Sequence, residues 1–99
     1  ICFDWIFPET MRCLALGGAQ LIVHAANLVL PYCPDAMVTR CLENRVFAVT
    51  ANRVGADDRG HGRLEFIGRS QITGCRGERL AQAAPAGEEV ITAEIDPAR

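Results

Sequence analysis

Apolar positions along the 99 residues fall into short runs separated by glycine, proline and charged residues. Ile1-Cys2-Phe3 reads as the end of a buried strand. Met11, Leu14 and Ala15, with Cys13 beside them, then recur at helical spacing behind Pro8, whose missing N–H costs nothing in a first turn. Gly17-Gly18 predicts a left-handed stop to that helix. Ala19 to His24 is a short apolar run of the kind found in strands buried on both faces, and Ala25 to Cys33 reads as a loop. Pro34 and Asp35 open a second helix reaching about Asn44, with Met37, Val38, Cys41 and Leu42 on its inner face. Val46 to Ala51 predicts another buried strand.

The second half is more polar. Residues 55–63 read as a glycine-rich loop. Ser70 to Thr73, a turn at Gly74 to Gly77, and Arg79 to Gln82 form a hairpin pattern. Ala83 to Gly87 reads as a linker, and Glu89 to Ile95 alternates like an edge strand. The predicted order is β-α-β-α-β, then a β-hairpin and a strand. Two βαβ crossovers give an α/β fold with a partly parallel sheet.

Composition narrows the function classes. The chain is 49% hydrophobic and 22% charged, as ordinary globular domains are. A net charge of −2 and an isoelectric point near 5.6 argue against a general electrostatic grip on nucleic acid or anionic lipid. The apolar runs are strand-sized, which argues against a membrane span, and the first residues lack the pattern of a signal peptide. Both ends read as cuts in a longer chain, because Ile1 opens in mid-strand and Asp96-Pro97-Ala98-Arg99 has no tapering tail. The five cysteines are odd in number and irregularly spaced, with no Cys-x-x-Cys pair, and the two histidines are isolated. Neither a disulfide framework nor a structural zinc site is expected, and a reducing, cytoplasmic location is the simplest reading. No metal and no cofactor are implied.

Cys2 sits where the predicted strand gives way to a helix. Backbone N–H groups and a helix N-terminus at such an elbow favour thiolate over thiol and can receive an oxyanion. By itself, a cysteine on a buried strand is more often just a small apolar core residue. The wider string decides between these readings. Cys2-Phe3-Asp4-Trp5-Ile6-Phe7-Pro8-Glu9, followed by Arg12, resembles the nucleophile motif of the nitrilase superfamily of carbon–nitrogen hydrolases. Further matches follow in order: Leu16-Gly18-Ala19, His24-Ala25-Ala26-Asn27, Arg40-Cys41-Leu42-Glu43-Asn44-Arg45, Asn52-Arg53-Val54-Gly55, Phe66-Ile67-Gly68-Arg69-Ser70 and Glu94-Ile95-Asp96. Together they cover essentially the whole chain.

The resemblance implies part of an αββα sandwich built around a glutamate–lysine–cysteine triad. Cys2 aligns with the nucleophile, and the backbone N–H of Phe3 with an oxyanion donor. The family's glutamate base and oxyanion-binding lysine both precede the cysteine. Only Ile1 precedes it here, and all ten basic residues are arginine. The expectation is therefore the C-terminal part of a single hydrolase domain, inactive alone, from an amidase or nitrilase that works through a thioester. Its partners would be a small amide or nitrile and, by the resemblance, further copies of itself. Asp4, Trp5, Asn27 and Tyr32 are candidate substrate-binding residues; Asp4 and Trp5 can instead set the turn, and Asn27 can brace its own loop. Acyl transfer to a nucleophile other than water stays open. The alternative function is a truncated, non-catalytic module that oligomerises or binds a partner.

Other polar residues have structural explanations. Glu9 fits the first turn of a helix, paired with Arg12. His24, last in its strand, reads as a hydrogen-bonded core histidine more readily than as a base, and His61 as a solvated loop residue. Arg40, Glu43 and Arg45 read as an ion-pair cluster, solvated or at a subunit interface. Cys13, Cys33, Cys41 and Cys75 read as packing residues.

Overall fold

A computed structural model describes residues 1–58, 60 and 62–97. The chain opens with a 3₁₀ turn, Cys2–Ile6, and continues through helix α1 (Pro8–Leu16), strand β1 (Leu21–Ala26), helix α2 (Cys33–Asn44) and strand β2 (Phe47–Asn52). Short strands follow: β3 (Ala56–Asp58), β4 (Arg63–Glu65), β5 (Gln71–Thr73) and β6 (Arg79–Gln82).

Four strands form one sheet in the order β1-β2-β5-β6. β1 and β2 are parallel, from Leu21 opposite Phe47 to Ala26 opposite Asn52. β5 and β6 add on antiparallel. The parallel pair is joined by α2, as a crossover requires. Pro at the start of each helix and left-handed Gly18 and Arg45 beyond their ends mark the limits that the sequence predicts.

The helices cover one face of the sheet. Trp5, Met11, Ile22, Cys33, Met37, Cys41, Val46 and Ala48 form the contiguous core between them. Along β1 burial alternates, so Ile22 and His24 point into this core while Leu21 and Val23 face outward. Val23 is 73% exposed. The α/β class therefore holds, as a four-stranded sheet with helices on one side and a separate two-stranded sheet of β3 and β4.

Several expectations are corrected. Ile1–Phe3 is not a strand end; the 3₁₀ turn begins at Cys2, and among the described residues only one parallel crossover is present. β1 is not buried on both faces. The polar stretch 55–63 contributes to a hairpin, β3 against β4, although His61 lies outside the described residues. Glu89–Ile95 is not a strand, and Val90 is 91% exposed. An alternating pattern makes a strand only where an edge is there to pair with it. Among the described residues no helix is long and apolar enough to cross a membrane.

Candidate active site

Cys2 opens the 3₁₀ turn with φ of 44°, in the left-handed region. For a residue other than glycine such a backbone costs about 1–3 kcal/mol and persists only where its surroundings hold it. Two side chains from the surrounding elements do so, one at each end of the turn.

The first is His24 of β1, which is 1% exposed. Its Nε2 lies 2.6 Å from the Cys2 carbonyl oxygen and its Nδ1 3.2 Å from Thr50 Oγ1. A carbonyl only accepts, so Nε2 carries the hydrogen and Nδ1 takes its bond from the threonine hydroxyl. Thr50 stands directly opposite His24 in the register of β1 and β2. Burial lowers the His24 pKa, against the opposing pull of the Cys2 carbonyl. The neutral imidazole this favours has both nitrogens engaged, as a hydrogen-bonded core histidine should.

The second is Arg40 of α2. Its Nε donates to the Trp5 carbonyl at 3.1 Å and its Nη2 to that of Ile6 at 3.4 Å. Nη1 reaches Glu43 Oε1 at 3.3 Å. The cluster suggested by Arg40, Glu43 and Arg45 is thus partly an anchor for the turn that carries Cys2; Arg45 instead ends α2 in a left-handed conformation. Arg12 donates to the Glu43 carbonyl at 3.3 Å, tying α1 to α2 rather than pairing with Glu9.

The other candidates fall in two places. Phe3 is half-exposed, and its ring meets those of Trp5 and Phe7 edge-on. Trp5 is in the core, with its Nε1 buried and unpartnered. The Asp4 carboxylate accepts a hydrogen bond from the Ile1 backbone nitrogen at 2.6 Å. Asn27 and Tyr32 are exposed on the loop that leaves the carboxyl end of β1. Leu28, between them, is buried in the cluster against which Cys2 packs. Beside this loop, Val29, Pro31, Phe66 and Ile67 line an open groove of about 370 Å³ whose walls do not include Cys2.

The remaining thiols differ in setting. Cys33, Cys41 and Cys75 are buried, as packing residues should be, but Cys13 is exposed. Desolvation pushes the Cys33 thiol up to about 12, with nearby Cys2 adding to the effect. Cys41 is pushed to about 12 in the same way, reinforced by Cys75 and Glu78. Neither ionises readily, which leaves Cys33 and Cys41 poor nucleophiles.

Residues 1–99 match the family model for carbon-nitrogen hydrolases. The chain belongs to the carbon-nitrogen hydrolase family. A nitrilase of Pyrococcus abyssi is 56% identical over 96 residues, which are 97% of this chain and 35% of that protein. A carbon-nitrogen hydrolase of Helicobacter pylori superposes with a TM-score of 0.85 at 27% identity, over 98% of this chain and 39% of the other. A glutamate-to-glutamine variant of an amidase from Nesterenkonia is 31% identical with a TM-score of 0.76, over 86% of this chain and 32% of its own. That structure shows the acetamide moiety of fluoroacetamide added covalently at the active-site cysteine. The chain spans about a third of the length of the curated relatives it matches. These matches lend no support to the expectation that the 99 residues are the C-terminal part of their parent.

Sequence reasoning on this chain of the carbon-nitrogen hydrolase family missed three devices: the His24 bond to the Cys2 carbonyl, the Arg40 grip on the turn, and a hub at Asn52. Asn52 Oδ1 accepts the Leu28 N–H at 2.8 Å, and its Nδ2 donates to the Gly68 carbonyl at 2.9 Å. The motif strings contained all three residues. Their partners lie 16 to 35 positions away, so no local spacing signals the contact.

Proposed function

We propose that Cys2 is the nucleophile of a cysteine-dependent carbon–nitrogen hydrolase that cleaves a small non-peptide amide or nitrile. The observation that carries this reading is the left-handed backbone of Cys2, anchored through its own carbonyl by a buried histidine. The covalently modified cysteine of the Nesterenkonia amidase supports it by likeness. In this reading the thiolate sulfur bonds to the amide carbon, and the Phe3 N–H helps hold the oxyanion. The C–N bond then breaks, ammonia or an amine leaves with a proton, and a thioester remains. Water attacks that thioester, releasing the acid and the thiol. A nitrile would reach the same stage through a thioimidate and one added water.

The general base and the lysine come from outside these 99 residues, so the segment is inactive by itself. The exposed loop bearing Asn27 and Tyr32, with Asp4 beside the nucleophile, would contribute to the substrate wall. Trp5 acts from beneath, as the support of the turn. A set of free thiols suits a reducing cytoplasm. The outward face of β1, with Val23 73% exposed, favours a covering partner. In the complete enzyme that partner is the rest of the protein or another copy. If the 99 residues stand alone, it supports the second reading, a non-catalytic module.

The deciding experiment treats the full-length protein containing this sequence with fluoroacetamide and compares it with Cys2→Ala. Mass spectrometry should place one acetamide group on Cys2, and amide hydrolysis should vanish in the variant. A Cys2→Ala protein that hydrolyses amides at the unmodified rate ends the reading.

A further inference from the structure

We propose that His24 is a positioning residue for the Cys2 nucleophile, fixing the Cys2 peptide to the interior of the sheet through a Thr50–His24–Cys2 chain of hydrogen bonds. The proposal rests on the reading of Cys2 as nucleophile. A histidine near a reactive cysteine invites the role of proton acceptor, but the geometry assigns another. Nε2 donates to the Cys2 carbonyl at 2.6 Å, and Nδ1 accepts from Thr50 Oγ1 at 3.2 Å. No ring nitrogen remains for the thiol.

The contact falls where position is otherwise least secure. The turn carrying Cys2 is short, Phe3 and Ile6 within it are exposed, and Cys2 itself holds a left-handed φ. Within the turn, Asp4 N–H bonds to the Ile1 carbonyl and Phe7 N–H to that of Asp4. The Cys2 carbonyl is instead held from the sheet. His24 and Thr50 are 1% and 5% exposed and stand opposite each other in the parallel pair, so the anchor is as rigid as the sheet. The Cys2 carbonyl, which can only accept, sets the tautomer with the hydrogen on Nε2, and the Thr50 hydroxyl can then donate to Nδ1. Holding the carbonyl fixes the peptide between Cys2 and Phe3, whose N–H is the proposed oxyanion donor. One side chain thereby sets both the thiol and the donor beside it, without touching substrate.

The test uses two side chains that differ by one methylene, in the full-length protein. His24→Gln carries an amide N–H at the reach of Nε2. His24→Asn reaches only the Nδ1 position, so it retains a bond to Thr50 and abandons Cys2. Fluoroacetamide and iodoacetamide are the probes. Each forms a sulfur–carbon bond at Cys2 with loss of the halide ion. Carbon–fluorine cleavage is demanding and reports alignment in the site, whereas iodoacetamide reports only that the thiol is accessible. In His24→Asn, fluoroacetamide labelling of Cys2 should slow by about tenfold or more, as expected for a displaced reacting group, with iodoacetamide labelling nearly unchanged. His24→Gln should recover most of the lost rate. Thr50→Val, which removes the hydroxyl alone, should fall between them.

Equal rates across the three variants would overturn the proposal, as would Gln and Asn variants equally slow at equal melting temperature. A histidine that only fills the core gives one of those two results. If the unmodified protein reacts with fluoroacetamide no faster at Cys2 than its unfolded chain does, or if Cys2→Ala retains hydrolysis, the nucleophile reading itself has failed. A Cys2-dependent enzyme with a normal His24→Asn rate rejects the positioning role alone.

Discussion

Asn52 accepts a hydrogen bond from the Leu28 backbone N–H at 2.8 Å, joining the end of β2 to the loop that follows β1. The same side chain donates to the Gly68 carbonyl, and the Leu28 carbonyl receives the Ile67 N–H at 2.9 Å. Three segments distant in sequence thus meet at one amide. Replacing Asn52 with Ala leaves the Leu28 N–H and the Gly68 carbonyl without these partners, at a cost of about 1–3 kcal/mol. Urea denaturation of the full-length Asn52→Ala protein should show this as a lowered midpoint. If the loop bearing Asn27 and Tyr32 forms part of the substrate wall, as proposed, KM for an amide should rise more than kcat falls.

Arg40 makes a comparable link from α2 to the turn that carries Cys2. Arg40→Met preserves much of the aliphatic stem but removes the donors to the Trp5 and Ile6 carbonyls. A stability loss of about 1–3 kcal/mol is expected. Arg40→Lys should restore little of it, since one ammonium cannot reproduce donors spread over a planar fork. Thermal unfolding of the two variants, compared at the same pH, measures the difference.

Thiol labelling should divide the cysteines by setting. Cys13 is exposed and Cys2 partly so, while Cys33, Cys41 and Cys75 are buried. With Cys33 and Cys41 raised to about 12, their thiolates are scarce at neutral pH. Brief iodoacetamide treatment of the native protein should modify Cys2 and Cys13. The other three should react only in denaturant. Peptide mapping by mass spectrometry gives the order, and early labelling of Cys33 or Cys41 would contradict this packing.

His24 also sets a direction for stability against pH. Burial holds its pKa below the ordinary 6.5, so the unfolded chain takes up this proton more readily than the folded one. The neutral imidazole contributes its full stability above that value. As pH falls through 6.5 toward the lower folded-state value, stability is lost. The urea midpoint should be flat from about pH 8 to pH 7 and decline below, before most carboxylates titrate. His24→Gln should remove this part of the decline, which comparison of the two pH profiles will reveal.

Local chemistry made much of the fold legible. Pro8 and Pro34 begin helices because their rings suit a first turn, and Gly18 ends one because it takes a φ of 102° without a clashing side chain. The run that becomes β2 is apolar and largely buried, whereas that of β1 is buried on one face only. The order of motifs after Cys2 was sufficient to suggest the family. Apart from the motif order, which spans the chain, these features are set by residues a few positions apart, where sequence and conformation are directly coupled.

Pairing and facing were decided only by the folded chain. Glu89–Ile95 has the alternation of β6 or better, yet only β6 found a strand to bond with. Ala56–Asp58 and Arg63–Glu65, in a polar stretch, pair as strands because their backbone groups satisfy each other, which side-chain type does not announce. His24 became the anchor of Cys2 through the parallel register of β1 with β2, the inward pleat at position 24 and the return of the 3₁₀ turn onto that face. A sequence records that histidine, threonine and cysteine are present. Only packing that closes sequence separations of 22 and 26 positions brings their hydrogen-bonding atoms within reach, because such bonds act over about 3 Å whatever the separation along the chain.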